Sequence, residues 1–199
     1  MSDWFSRRFS SYYWHGNREE RTIYLTFDDG PTPEVTDFVM EQLDKFQYKA
    51  TFFCIGDKVK QFPKTYDKLL ENGHIIGNHT QHHLNAWKTS SETYLEDVTE
   101  CAKHIDSNLF RPPYGRIKRD ITKNLIAKGY KIILWDVLSG DFDMNRAAAS
   151  CLKNLKKNTK NGSVIVFHDS EKSFEKLKQI LPEYLSFIES KGWKSKSIS

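Results

Sequence analysis

Short apolar strands alternate with amphipathic helices along almost the whole chain, and this alternation limits the fold more than any other feature. Runs such as TIYLTF (22–27), ATFFCIG (50–56) and SVIVFH (163–168) are rich in β-branched and aromatic residues and lie next to glycine or polar residues. Segments such as 32–46 and 90–105 place apolar residues at helical spacing between such runs. The pattern predicts an α/β fold with a parallel sheet, either open or closed into a barrel.

The turn after the first predicted strand separates these two arrangements. A nucleotide-binding open sheet carries a glycine-rich phosphate loop there, whereas this chain has DDGP at 28–31 and neither GxGxxG nor GxxxxGK[ST]. The barrel is therefore favoured. With 199 residues the chain is expected to form a single domain, which we place at 22–199 after an N-terminal extension at 1–21.

Composition excludes several functional classes. The net charge of +4 arises from interleaved Lys and Glu, which indicates a solvated surface and argues against nucleic-acid binding. The three cysteines are far apart and form no CxxC pair, so we expect buried thiols in a reducing compartment. The N-terminal segment has the pair Arg7 and Arg8 but no apolar stretch after it, and no run approaches the roughly 20 apolar residues of a membrane span. The sequence therefore predicts a cytoplasmic protein without a membrane span.

Ionisable residues cluster where predicted strands end. In parallel α/β folds the carboxyl ends of the strands carry the chemistry, so these side chains are expected to converge on one mouth of the barrel. They are Asp28, Asp29, His79, His83, Arg111, Asp136, Asp141, His168 and Asp169.

The segment GNHTQHH (77–83) holds three histidines in seven positions. On a helix, His79 could pair with His83 or with His82, and a plain polar loop is the third interpretation. The convergence of ionisable groups argues against the plain loop. One of the adjacent Asp28 and Asp29 could complete a site for Zn²⁺ or another divalent first-row metal, while the other stays free as a base.

Three further residues suit the chemistry of a hydrolytic metal site. His168, at the end of an apolar strand, is a natural general acid there. Arg111 could hold a carboxylate ionised. Pro112 and Pro113 stiffen the backbone next to Tyr114, whose main-chain N–H could serve as an oxyanion donor.

Four motifs in this order, TFDDGP, HTQHH, RPPYG and VFHDS, resemble those of the polysaccharide deacetylase family, also called the NodB-homology domain or carbohydrate esterase family 4. The resemblance covers roughly residues 22–193. It implies a distorted (β/α) barrel and metal-dependent removal of acetyl groups. The usual substrates are N-acetylglucosamine units of peptidoglycan or chitin, and sometimes O-acetylated xylan.

Carried over by position, the resemblance assigns a role to each motif residue. Asp28 is the catalytic base, which Arg111 orients, and Tyr114 lends its N–H to the oxyanion. His168 is the acid, tuned by Asp141. Asp29, His79 and His83 are the ligands of a divalent metal, with Zn²⁺ favoured over Co²⁺, Ni²⁺ or Mn²⁺, and His82 is not a ligand. The partner is an acetylated carbohydrate; the oligomeric state is left open.

Two positions depart from the family pattern. Phe142 replaces a common Trp, and Val166 replaces a common Leu. Both are apolar, and with Pro112 they are expected to line a pocket for the acetyl methyl group. The absence of a recognisable export signal also makes a small acetylated cytoplasmic sugar or precursor an alternative substrate.

Other functions remain as alternatives. A non-haem Fe(II) oxygenase also uses two histidines and a carboxylate, but it needs neither the second Asp nor the late His. An amidase acting on small cyclic amides would tend to lack the complete metal triad. A non-catalytic carbohydrate-binding module would use exposed aromatic residues and has no reason to keep acid, base and metal ligands together. The stacking candidates for such a module are Trp14, Trp87, Tyr114 and Trp135.

Overall fold

Strands and helices alternate along the chain, as the sequence predicts. The structure is a computed structural model that describes residues 11–199. Its strands are β1 (Tyr12–Tyr13), β2 (Thr22–Asp28), β3 (Thr51–Cys54), β4 (Ile75–Asn78), β5 (Leu109–Phe110), β6 (Lys131–Ile133), β7 (Val137–Leu138), β8 (Val164–His168) and β9 (Lys194–Ser195). Its α-helices are α1 (Val35–Lys45), α2 (Gly56–Gln61), α3 (Pro63–Glu71), α4 (Ser91–Cys101), α5 (Arg119–Ala127), α6 (Ala148–Asn158) and α7 (Phe174–Ser190). Within residues 11–199, none of the helices has the length and apolar character needed to cross a bilayer.

The strands form one curved sheet in the order β1-β6-β5-β4-β3-β2-β8-β7, with β9 added at the start of β2. All strand pairs in this order are parallel. Strands β1 and β7 end the order, so within the described residues the barrel does not close into a complete ring. The prediction of a distorted (β/α) barrel with parallel strands in a single domain is confirmed.

The register of the central strands decides which side chains face the barrel interior. Phe27 lies opposite Phe52 and Phe167, and these three rings stack on the helix side with centroids 5.0 and 5.6 Å apart. Because side chains alternate along a strand, the next residue, Asp28, faces inward together with its neighbour His168. The same alternation that builds the core therefore places two ionisable groups side by side at the strand ends.

The apolar run KIILWDV (131–137) predicts a single strand, but the structure has two strands there. The chain leaves the sheet after Ile133 and re-enters at Val137, on the far side of β8. Asp136 therefore precedes β7 instead of ending a strand, and it lies against Val164 at the start of β8. The expectation that Asp136 joins the mouth of the barrel is wrong, because a break in the strand reversed which end it occupies.

The first and last segments of the chain also contribute to the barrel. Tyr12 and Tyr13, which fall in the predicted extension at 1–21, form β1 and pair with β6. Residues 1–10, with Arg7 and Arg8, lie outside the described residues. At the other end, the segment GWKSKSI (192–198) is compatible with a last short strand, and β9 lies within it and pairs with the start of β2.

Candidate metal centre and active site

The three histidines at 79, 82 and 83 lie in a loop after β4 and not in a helix. Its backbone takes left-handed conformations at Thr80 (φ 66°) and His83 (φ 55°). The side-chain oxygen of Asn78 accepts the Thr80 N–H at 2.9 Å and fixes the first turn. These turns bring the His79 and His83 rings to a centroid distance of 5.1 Å. The predicted pair comes together, but through two strained turns and not through helical spacing.

Asp29 brings a carboxylate to the two rings. Its Oδ1 lies 3.6 Å from His79 Nε2 and 3.2 Å from His83 Nε2, and one ligand atom from each residue falls within 4.8 Å of the others. Asp29 Oδ1 is buried and receives no hydrogen bond of good geometry within the described residues. A buried carboxylate oxygen with that acceptor capacity unused, facing two imidazole nitrogens, fits a divalent cation.

The orientation of His79 also suits a metal ligand. Its Nδ1 lies 2.7 Å from the carbonyl oxygen of Arg111, to which an Nδ1–H donates. That bond fixes the tautomer and leaves the Nε2 lone pair directed at Asp29. The second ring, His83, is packed against Tyr114 with centroids 4.7 Å apart. Both rings are therefore positioned by the RPPYG segment.

The charge state of Asp29 follows from its neighbours. Burial raises the pKa of Asp29, but His79, His83 and the His168 cation outweigh burial and bring that pKa well below its ordinary value. Asp29 is therefore ionised at neutral pH, as a metal ligand must be.

Asp28 and Arg111 form a buried ion pair inside the barrel. Arg111 is fully buried, and its Nη1 donates to Asp28 Oδ1 at 2.6 Å and to Thr26 Oγ1 at 2.7 Å. The guanidinium lies 4.1 Å from the Phe53 ring centre. Burial lowers the pKa of Arg111, while the charge of Asp28 opposes that shift. The predicted partner of Asp28 is therefore present.

His168 is paired with Asp141. The Nδ1 of His168 lies 2.8 Å from Asp141 Oδ1, and the His168 main-chain N–H donates to Oδ2 at 2.8 Å. Burial lowers the pKa of His168, but Asp141 and, more weakly, Asp29 and Asp28 raise it to about 9. At neutral pH the ring is a cation, the form that a general acid requires.

The remaining predicted residues surround these groups. Tyr114 has a left-handed backbone (φ 61°) and an exposed ring. Phe142 packs edge-on against His168, with centroids 4.9 Å apart. Pro112 is buried next to Arg111. Val166 is fully buried two residues before His168, opposite Thr26, and its part in a pocket for the acetyl methyl group stays a prediction.

Asp97, on α4, was missed by the sequence analysis. Its Oδ2 accepts the main-chain N–H groups of Gln81 (3.0 Å) and His82 (3.1 Å), and its Oδ1 lies 2.6 Å from His82 Nδ1. His82 is therefore turned away from the triad and ties the loop to α4. No motif flags this role, because Asp97 lies 14 residues beyond the last histidine of the segment.

Asp169 supports the loop after β2 from below. Its Oδ1 accepts the Gly30 N–H at 3.0 Å, and its Oδ2 accepts the Thr36 hydroxyl at 2.6 Å. A side chain at position 30 would collide with this carboxyl, which explains the glycine next to Asp29. Burial raises the pKa of Asp169 to about 7. The sequence places Asp169 among the residues at the mouth because it directly follows His168, but it gives no indication of these two supporting contacts.

Backbone strain concentrates in this region. Left-handed conformations at non-glycine residues occur within the described residues at Asp29, Glu34, Gln47, Thr80, His83 and Tyr114. Four of these six belong to the site. Such conformations cost of order 1–3 kcal/mol each and persist where the surrounding structure holds them, as functional sites do.

Known proteins are similar to this chain in sequence. The family model for polysaccharide deacetylases matches residues 15–133. The chain belongs to the polysaccharide deacetylase family. A peptidoglycan-N-acetylglucosamine deacetylase of Bacillus cereus is 32% identical over 192 residues, which are 94% of this chain and 90% of that protein. A chitooligosaccharide deacetylase of Azorhizobium caulinodans is 33% identical over 159 residues, 76% of this chain and 75% of that protein. The prediction of a carbohydrate deacetylase is confirmed at the level of this family.

Solved structures show the same fold. A peptidoglycan N-acetylglucosamine deacetylase, Bc1960, in complex with a naphthalenyl N-hydroxybenzamide superimposes with a TM-score of 0.85 at 26% identity, covering 100% of this chain and 95% of that one. A Bacillus anthracis protein described as a pseudoenzyme of carbohydrate esterase family 4 has a TM-score of 0.80 at 20% identity, covering 93% and 66%. Because a pseudoenzyme shares the fold, the argument for activity depends on the site residues.

Proposed function

We propose that the protein is a metal-dependent deacetylase of glycans that contain N-acetylglucosamine. The observation that carries this proposal is the adjacency of a base, an acid and a metal triad: Asp28 and His168 face each other on β2 and β8, and Asp29 follows at once in the chain. A binding module would not need a cation at His168 beside a carboxylate at Asp28. The parallel α/β barrel and the family membership also argue against a non-haem oxygenase.

The triad Asp29, His79 and His83 would hold the metal, for which we propose Zn²⁺. Two nitrogens and one oxygen with open positions suit Zn²⁺, and Co²⁺, Ni²⁺ or Mn²⁺ are the alternatives. When bound, the cation polarises the acetyl carbonyl and makes a water molecule more acidic.

Asp28 is proposed as the general base. Arg111 holds its Oδ1, so the other oxygen of the carboxylate can accept a proton from the attacking water. Because Arg111 is itself fixed by Thr26 and by the Ile133 carbonyl, the carboxylate keeps one orientation. The proton would then reside on the oxygen that Arg111 does not contact.

His168 is proposed as the general acid. Its Nδ1 is held by Asp141, so Nε2 is the atom that delivers a proton to the leaving nitrogen. The nitrogen of the substrate amide can leave as a neutral amine only after it is protonated. The raised pKa of His168 matters because it keeps the proton on the ring at neutral pH. The Tyr114 N–H is proposed as a hydrogen-bond donor to the oxyanion.

The test is acetate release from four substrates, assayed with and without chelator and after return of Zn²⁺, Co²⁺, Ni²⁺ or Mn²⁺. The substrates are chito-oligosaccharides, peptidoglycan, acetylxylan and free N-acetylglucosamine. We expect chelator-sensitive release from the N-acetylated polymers and little from acetylxylan. Release only from acetylxylan would indicate an esterase, and activity on the free sugar alone would favour the small cytoplasmic substrate.

The variant that tests the metal site is His79→Ala, which should lose both metal content and acetate release while remaining folded. A variant that loses the metal but keeps its activity would contradict the proposal. The cytoplasmic location remains a prediction, which fractionation of the producing cells can test.

A further inference from the structure

Exposed apolar side chains gather around the site. Within the described residues, the exposed large apolar side chains are Leu70, Ile75, Trp87, Tyr114, Ile126, Phe142 and Met144. Four of these lie in loops that follow strands at the mouth: Trp87 (62% exposed), Tyr114 (59%), Phe142 (37%) and Met144 (68%). Exposed apolar groups grouped at one place on a surface indicate a binding site.

Trp87 is the largest of these groups, and its position is fixed. The side-chain oxygen of Asn85 accepts the main-chain N–H of Trp87 at 3.0 Å in a tight turn. The turn is tied to the RPPYG side of the mouth, because Lys118 Nζ donates to the Thr89 carbonyl at 2.6 Å. The guanidinium of Arg116 lies 4.7 Å from the centre of the Trp87 ring. An exposed indole held in this way loses little conformational freedom when it binds a ligand.

The charge of the two loops that carry this pair is positive. Residues 84–90 and 112–119 contain four cations and no acidic residue: Lys88, Arg116, Lys118 and Arg119. Acidic residues Glu92 and Asp120 follow in the first turns of α4 and α5. Among residues 11–199, Arg116 has no carboxylate within ion-pair distance. Its guanidinium can therefore form an ion pair with an anionic group from outside the protein.

The Trp87–Arg116 pair lies on the two loops that carry His83 and Tyr114. Trp87 follows the ligand His83 by four residues, and Arg116 follows Tyr114 by two. Tyr114 itself packs against His83. A glycan that extends from the triad along these two loops would bring a neighbouring sugar unit to the pair.

We propose that Trp87 and Arg116 form a subsite for a sugar unit that carries a carboxylate, next to the unit that is deacetylated. The sugar ring lies against the indole, and its carboxylate pairs with the guanidinium. The preferred substrate is then a glycan in which N-acetylated units alternate with carboxylate-bearing units, in contrast to a neutral chito-oligosaccharide. This inference rests on the deacetylase function proposed above.

The experiment compares Arg116→Gln and Trp87→Ala with wild type on two glycans of equal length. One is a chito-oligosaccharide; the other is amidase-treated peptidoglycan glycan, whose muramoyl units carry free lactyl carboxylates. Arg116→Gln should raise KM about tenfold on the carboxylate glycan only, with kcat unchanged, since a charge-assisted bond is lost. Trp87→Ala should raise KM about three- to tenfold on both glycans.

Controls of the same residue classes lie away from the mouth. Arg21→Gln, at the start of β2, and Ile126→Ala, near the end of α5, should leave KM unchanged on both glycans. In wild type, KM on the carboxylate glycan should rise with salt, and Arg116→Gln should weaken that dependence.

Calorimetric titration with each glycan separates this inference from the proposed function. If Arg116→Gln and Trp87→Ala both keep the wild-type rate of acetate release and the wild-type affinity for the glycans, the subsite proposal is overturned. Loss of affinity in these variants without acetate release in wild type would support the subsite and overturn the deacetylase proposal. An equal loss on both glycans in Arg116→Gln would show that the carboxylate is not recognised.

Discussion

The two ends of the barrel each bury an aspartate paired with an arginine, and the comparison separates reactive from structural carboxylates. At the mouth, Arg111 contacts only Oδ1 of Asp28, at 2.6 Å. At the opposite end, Arg18 contacts Asp136 Oδ2 at 2.7 Å. Two further donors contact Asp136, so that both of its oxygens accept hydrogen bonds. These contacts come from the Ser163 hydroxyl at 3.2 Å and the Val164 N–H at 2.9 Å.

The difference is in acceptor capacity and not in charge or burial. A carboxylate with both oxygens engaged positions its neighbours, whereas one with an oxygen left over can take a proton or bind a cation. Asp29 carries the second pattern further, because its Oδ1 is buried without a good hydrogen bond within the described residues. Backbone strain is a separate feature, since Asp29 has a left-handed backbone whereas Asp28 and Asp136 do not.

Exchanging each aspartate for asparagine tests the comparison most strongly at Asp28. Asp28→Asn should lower kcat on an N-acetylated glycan by about 10²–10⁴-fold, because the base is lost. The amide oxygen still accepts from Arg111, so metal content and the circular dichroism spectrum should stay near wild type. Kinetics of acetate release measure the effect, and a near-normal kcat in the folded variant would show that Asp28 is not the base.

Asp136→Asn should have the opposite effect. It should lower the free energy of unfolding by about 3 kcal/mol, as expected when one partner of a buried ion pair is removed. The kcat of the folded protein should be unchanged, because Asp136 is at the far end of the barrel. Urea denaturation and acetate release measure the two quantities. A loss of kcat in a variant of unchanged stability would reverse the assignment of the two ends.

The sequence predicted the mouth well and the far end poorly. Asp28, His79 and His168 could be placed because strand alternation and strand ends are readable from short apolar runs. Asp136 could not, since KIILWDV is a continuous apolar run and only tertiary structure breaks it after Ile133. The two parts of that run pair with different strands, and periodicity carries no information on partners.

The supporting contacts were also out of reach. The left-handed turns at Thr80 and His83 occur at residues without the glycine that usually marks such turns. Asp97 stands on a helix whose pattern explains only its buried position. Its two main-chain partners, Gln81 and His82, belong to a loop whose sequence is also compatible with a helix. Contacts of a side chain with a distant backbone leave no periodic signal.

Asp141 lies at the mouth but has both oxygens engaged, so it tests whether acceptor capacity or location decides the role. In chelator-treated protein, His168 should titrate by NMR with a pKa of about 9, and Asp141→Asn should lower that pKa because burial remains while the opposing charge is lost. Because the folded pKa lies above the ordinary 6.5, the pair stabilises the fold fully below about pH 6.5. This advantage over the variant should vanish as the pH rises through about 9; a constant difference would exclude the linkage.

Asp97 extends the same test to the metal loop. Asp97→Ala removes the acceptor of two main-chain N–H groups between the ligands, so the loop should sample more conformations. We expect the affinity for Zn²⁺ to fall about 10- to 100-fold, as for other groups that position ligands. Competition with a chelator of known affinity measures the change. Glu96→Ala, at the preceding residue of α4, is the matched control, and an equal loss there would point to helix damage.

His82→Ala should have the smallest effect, because His82 shares Asp97 with the backbone and is not a ligand itself. The two main-chain bonds of Asp97 remain in this variant, and the side chain that is removed is 58% exposed. We therefore expect the metal affinity to stay within about threefold of wild type, since a partly exposed pair contributes at most about 1 kcal/mol. A loss as large as that of His79→Ala would make His82 a ligand. A loss equal to that of Asp97→Ala would instead mean that the side-chain contact, and not the backbone contacts, holds the loop in place. The expected result would leave His79 and His83 as the proposed ligands and His82 as a partner of Asp97 that metal binding does not need.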